Sequence, residues 1–141
     1  MKKTLGVALV GALLVTTLVS AAPASAAPNP YTPGEVCGSG YVTVESKSST
    51  YATVYLMYNS GSGNNCVVTL KSGAAAGVST RTAAWLEVRG GAFGKDDGSF
   101  YWYAGPVRYY ARGVCVMFGG YAKYGSGVYG GEDLSWDHCG A

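Results

Sequence analysis

The chain has 141 residues, 48% of them hydrophobic and only 13% charged, with 22 glycines, 12 tyrosines and 4 cysteines. That length holds one domain, and a formal net charge of +2 is too small for the cationic face that nucleic acid requires. Outside the N-terminus no long stretch has helical periodicity, which excludes phosphate-binding loops that need a helix behind them.

The first 26 residues have the three-part form of a secretory signal peptide. Lys2 and Lys3 supply the positive start, Leu5 to Val19 the apolar run, and Ala24-Ser25-Ala26 a small-residue cleavage site, with Ala22-Pro23-Ala24 as the competing one. The apolar run is shorter than the roughly 20 residues a membrane span needs. Cleavage after Ala26 divides the chain into a signal, 1–26, and one domain, 27–141, of 115 residues. Lys2 and Lys3 leave with the signal, so eight Lys/Arg then balance eight Asp/Glu. Neither nucleic acid nor a membrane surface is expected as a partner of this uncharged chain.

All four cysteines, Cys37, Cys66, Cys115 and Cys139, lie in the exported part. An even number in a small secreted domain reads as two disulfides. The alternative, a zinc site, would need close ligand pairs, and no C-x-x-C occurs.

In chain order, Ala27 to Glu35 (APNPYTPGE) carries three prolines and reads as an extended lead-in, from which Tyr31 packs back onto the domain. Three alternating runs follow, Tyr41–Glu45, Tyr51–Tyr58 and Cys66–Lys71, separated by Gly/Ser/Asn-rich breaks, which is the pattern of a three-stranded meander. Both faces of the second run are partly apolar, so it is predicted to be central, with its second face covered. In this meander Cys37 and Cys66 start at the same end. Of three possible connectivities, this favours the sequential one, Cys37–Cys66 with Cys115–Cys139, although sequence alone does not fix it.

Ser72 to Thr82 reads as a loop, and Ala83 to Arg89 as a strand with Ala84, Leu86 and Val88 inward and Trp85 and Glu87 outward. Gly90 to Gly98 reads as a turn on the strength of Asp97-Gly98. Strands are predicted at Phe100–Ala104, Val107–Ala111 and Val114–Phe118, with Gly105-Pro106 marking a bend or edge. Gly119 to Gly131, with six glycines, reads as a surface loop pinned by the Cys115–Cys139 bridge. The predicted architecture is an all-β antiparallel sandwich or small barrel of about six to eight short strands, with no helix outside the signal.

Several segments together resemble the spore-associated protein A family, small exported proteins of filamentous, spore-forming actinobacteria. They are Asn29-Pro30-Tyr31-Thr32-Pro33 leading into Val36-Cys37-Gly38-Ser39-Gly40-Tyr41, Thr53 to Asn59, Asn65 to Lys71, Tyr103-Ala104-Gly105-Pro106-Val107, Cys115-Val116, and His138-Cys139-Gly140. The resemblance implies an extracellular protein at the spore or mycelial surface, and it supplies no catalytic or ligand residues beyond the cysteines.

Chemistry is sparse. The single histidine, His138, sits between Asp137 and Cys139, and sequence neighbours rarely form a Ser-His-Asp relay. Glu45 and Glu87 show no spacing that marks a glycosidase pair, and Asp96-Asp97-Gly98 lacks the oxygen ligands of a calcium loop. No enzyme activity, metal or cofactor is expected. The positive signal is aromatic. Tyr51, Tyr55, Trp85, Tyr101, Trp102 and Tyr103 are the candidate contact surface, suited to stacking on sugars or packing between proteins. The expected function is a structural or adhesive role at the spore or cell surface, through surface or spore-coat components. The alternatives are a module binding extracellular polysaccharide and an inhibitor of a secreted hydrolase, whose disulfide-clamped loop would be the insert.

Overall fold

Residues 28–140 are described in the computed structural model, so the signal-peptide reading lies outside the described residues. Eight strands build two four-stranded antiparallel sheets. β1 (Val42–Ser48), β2 (Ala52–Asn59) and β3 (Asn64–Lys71) form the expected meander, and β6 (Tyr103–Tyr110) completes the first sheet in the order β1-β2-β3-β6. β4 (Thr80–Val88), β5 (Phe93–Phe100), β7 (Val116–Tyr124) and β8 (Gly127–Asp137) make the second, ordered β5-β4-β7-β8. The fold is an all-β sandwich.

Alternation decides the core. Val54 and Leu56 of β2, Val67 of β3, Ala84, Leu86 and Val88 of β4, and Val116 and Phe118 of β7 meet between the sheets. The opposite face of the first sheet has its own cluster, Met57, Cys66, Val68 and Leu70 with Val36 and Cys37, so β2 is apolar on both sides because both sides are covered. Its cover is a short helix, α1 (Pro33–Cys37), where the prolines of the lead-in led us to expect extended chain and no helix. Thr32 caps α1 and Glu35 reaches back to the Thr32 backbone. Pro33 falls where its missing N–H costs nothing. Arg108 of β6 donates to the carbonyls of Val36 and Cys37, each at 3.0 Å, and so closes the other end. Cys37 is bridged to Cys66 and Cys115 to Cys139.

Three further readings are corrected. Asp97-Gly98 is not a turn: both residues lie inside β5, and the β4–β5 turn falls at Arg89–Ala92, with Gly90 at φ +69°. The predicted break at Gly119–Gly131 is the paired β7–β8 hairpin, turning on Gly125-Ser126. Glycine is required there. A Cβ on Gly119 would strike the Trp85 ring, and one on Gly120 would strike Thr69, whose hydroxyl crosses between the sheets to donate to the Ala83 carbonyl at 2.8 Å. The aromatic stretch also divides differently, with Phe100 ending β5, Tyr101-Trp102 turning and Tyr103 opening β6.

Lys71, at the end of β3, is fully buried. Its ammonium donates to the Val78 carbonyl, to Thr80 Oγ1 at 2.6 Å and to the Phe100 carbonyl at 3.0 Å, one acceptor for each of its protons. Burial pushes its pKa below the ordinary lysine value. Replacing Lys71 with Met would leave these acceptors without their donor, at about 1–3 kcal/mol for each that water cannot reach. Lys71→Met is therefore expected to destabilise the domain by at least about 2 kcal/mol, read as a fall in melting temperature by circular dichroism. An unchanged melting temperature would contradict this role.

Candidate functional site

The turn that carries the aromatic run is fixed by its backbone. The Phe100 carbonyl accepts from the Lys71 ammonium, and the Tyr101 carbonyl from the Gly77 N–H at 2.9 Å. The Trp102 carbonyl accepts from the Lys71 N–H at 2.9 Å and from Asn29 Nδ2 at 2.8 Å. With all three carbonyls bound to the body of the domain, the intervening side chains turn outward. Tyr101 is 59% exposed, and Trp102 is half-buried with its ring over Gly77. Tyr103 meets Tyr31 edge-on, with ring centroids 4.9 Å apart.

Together these rings border a cleft of about 400 Å³ open to solvent, lined also by Asp96 and Ser99 of β5. Asp96 Oδ2 accepts from the Gly105 N–H at 2.7 Å, which ties the edge of the second sheet to the first. Among the described residues no cation pairs with Asp96, and no basic side chain lines the cleft.

The neighbouring Asp97 is the opposite case. On the outer face of the second sheet it accepts from Arg81 at 2.8 and 3.2 Å, from Lys95 at 2.7 Å and from the Tyr121 hydroxyl at 3.2 Å. The Arg81 guanidinium, then the Lys95 ammonium, holds its carboxyl well below the usual aspartate range. Trp85 lies on this same face beside Phe93, with centroids 6.4 Å apart, and borders a shallow groove with Tyr121, Tyr129 and Glu132.

A third cluster joins β1 to the end of β8. Lys47 bonds Glu45 and, at 3.0 Å, Asp133, while His138 Nε2 faces Glu45 Oε2 at 2.5 Å and Asp137 Oδ1 at 3.1 Å. Glu45, Asp133 and His138 are close enough to share a metal ion, but the Lys47 ammonium already stands between the two carboxylates as their counter-ion. The Glu45 and Asp137 carboxylates both face the same ring nitrogen of His138, Nε2.

The six aromatic residues singled out in the sequence thus separate. Tyr101, Trp102 and Tyr103 share the cleft, while Trp85 faces the other sheet's exterior. Tyr51 is taken up by Tyr124 and Tyr129, at 4.9 and 4.6 Å, and Tyr55 packs into the cluster beneath α1. Asp96 and Ser99, which the sequence placed in or beside a turn, enter the site through the register of β5 against β4.

Over 116 residues the chain is 41% identical to Spore-associated protein A of Streptomyces coelicolor, a match covering 81% of this chain and 73% of that protein. The chain belongs to the spore-associated protein A family. No family model matches it, and no solved structure matches it significantly.

The charge network makes a pH prediction. Asp97 and Asp133 both sit below the ordinary aspartate pKa, Asp133 through the Ser135 N–H and then Lys47. Groups depressed in the folded state stabilise it above the unfolded value and lose that contribution as pH falls through the folded one. Thermal stability should therefore decline between about pH 5 and pH 2, and Asp97→Asn should flatten the decline. A profile identical in the variant would remove Asp97 as a contributor.

Proposed function

We propose that this protein is an exported, non-enzymatic component of the spore or hyphal surface, a cross-linked scaffold whose exposed rings make adhesive contacts with surface or spore-coat components. The observation that carries the reading is the pairing of family and form. A relative named for spore association shares 41% of its residues over most of the chain, and the rigid two-sheet body presents aromatic side chains outward. Supporting the non-enzymatic part, the four cysteines are all in disulfides, which leaves no thiol as a nucleophile. The segment spanned by the Cys115–Cys139 bridge is a paired hairpin, so it does not favour the alternative of a hydrolase inhibitor with a disulfide-clamped loop.

Washed spores or hyphae of the producing organism are expected to retain the protein, and mild detergent to release it, as detected with an antibody against the mature chain. Its complete recovery in the culture supernatant would overturn the reading.

A further inference from the structure

The cleft differs from the molecule's other aromatic surfaces in how its carboxylate is held. The groove bordered by Trp85 shares its sheet face with the paired cations of the Asp97 network, and the Tyr51 rings are spent on one another. The Trp85 groove also has a carboxylate without a salt bridge, Glu132, but the Tyr101 cleft differs in having its carboxylate, Asp96, tied by one oxygen to a backbone N–H. Asp96 has one oxygen fixed on the Gly105 N–H, so the carboxylate is held in place with its second oxygen available as an acceptor. Ser99 adds an exposed hydroxyl, and the tyrosine tips add donors and acceptors at the border.

We propose that this cleft is a binding site for an amino-sugar chain. The C–H faces of a pyranose ring lie against flat aromatic rings, and the hydroxyls at its rim meet the polar tips that tyrosine and serine provide. A carboxylate without a counter-ion gives a charge-assisted hydrogen bond to an ammonium, stronger than one to a neutral amide or hydroxyl. A site with one acid and no base, faced by electron-rich rings, rejects uronic acids and phosphate polymers. An open trough, rather than a closed cavity, accepts an internal stretch of polymer. The proposal deepens the adhesive reading and rests on it for its biological setting, while the binding itself is a property of the purified chain.

Calorimetric titration of the mature, disulfide-bonded protein tests it with four probes: glucosamine oligomer, N-acetylglucosamine oligomer, galacturonate oligomer and spermidine. Saturable binding of the glucosamine oligomer is expected, several-fold tighter than the acetylated one, with no binding of galacturonate. Asp96→Asn keeps an acceptor for the Gly105 N–H and should erase the preference for the amine. Tyr101→Ala, at a ring that bears little of the core, should weaken both neutral and aminated chains roughly tenfold. Phe93→Ala, at a ring 58% exposed on the other face, should change nothing. No binding of either glucosamine chain, spermidine binding as tight as the sugar, or variants without effect would each overturn the proposal. Spore retention without sugar binding would refute this site and leave the surface reading standing, so the two fail separately.

Discussion

A single buried ammonium sets the constraint on which the rest of the structure depends. Isolated in an apolar interior, a lysine charge costs several kcal/mol, and it persists only when its donors are all used. The Lys71 ammonium is satisfied by oxygens from three places, the stretch after the Gly73–Ala75 turn, the start of β4 and the end of β5. Its backbone adds two more ties, donating to Trp102 and accepting from Asn29. The lead-in, both sheets and the aromatic turn therefore converge on one residue. The cleft is built on that junction, which is why a turn of large side chains can stand exposed without collapsing onto the surface.

The space between the sheets is governed by small residues. The core has no isoleucine and much alanine and valine, so it buries less apolar area than a leucine-rich sandwich of equal length. Gly120 lets the Thr69 hydroxyl reach across, and Gly131, its partner in β8, faces Lys47 of β1. Close approach of this kind improves packing but gives little hydrophobic stabilisation. The two disulfides, spanning 29 and 24 residues, offset that deficit at about 3–4 kcal/mol each in the chain-entropy picture. Such a domain depends on conditions that keep its disulfides oxidised.

Period-two alternation revealed β2, β3 and β4 because their side chains are large enough to announce which face is buried. It failed in β5 and in the β7–β8 hairpin for one physical reason: a glycine in a strand has no side chain to count. Val116, Phe118, Gly120 and Ala122 form a proper inward stripe, but Gly120 is inward because Thr69 occupies its place, and nothing local to the sequence says so. The same holds for Asp97-Gly98, a turn signal by composition, whose Gly98 instead has the Phe100 ring lying where a side chain would be. The helix was a different failure. Thr32-Pro33-Gly34-Glu35 is a legible capping box with proline at the first helical position, but the three prolines outweighed it. For the site, the run Tyr101–Trp102–Tyr103 was visible from its composition, whereas Tyr51 and Tyr55 could be sorted from it only by knowing which rings and which helix lie opposite them.

The two exteriors of the sandwich are treated differently, and the difference bears on selectivity. The first sheet's outer face is covered in part by α1 and Arg108, with Tyr41, Tyr55 and Tyr103 packed against the cluster beneath them. The second sheet's outer face is open, but its rings are interleaved with a carboxylate bonded to two cations and a tyrosine, and Lys95 sits 5.5 Å over the Tyr121 ring. The charged edge of β5, with Lys95, Asp96 and Asp97 in succession, also discourages pairing with another strand. A surface balanced in this way stays hydrated and resists indiscriminate sticking. Asp96, which no cation pairs, lies one residue from the saturated Asp97 but on the opposite side of the strand, where alternation delivers it to the aromatic cleft. Adjacent aspartates on one edge strand thus divide the work, one keeping a face soluble and the other giving a cleft its sign.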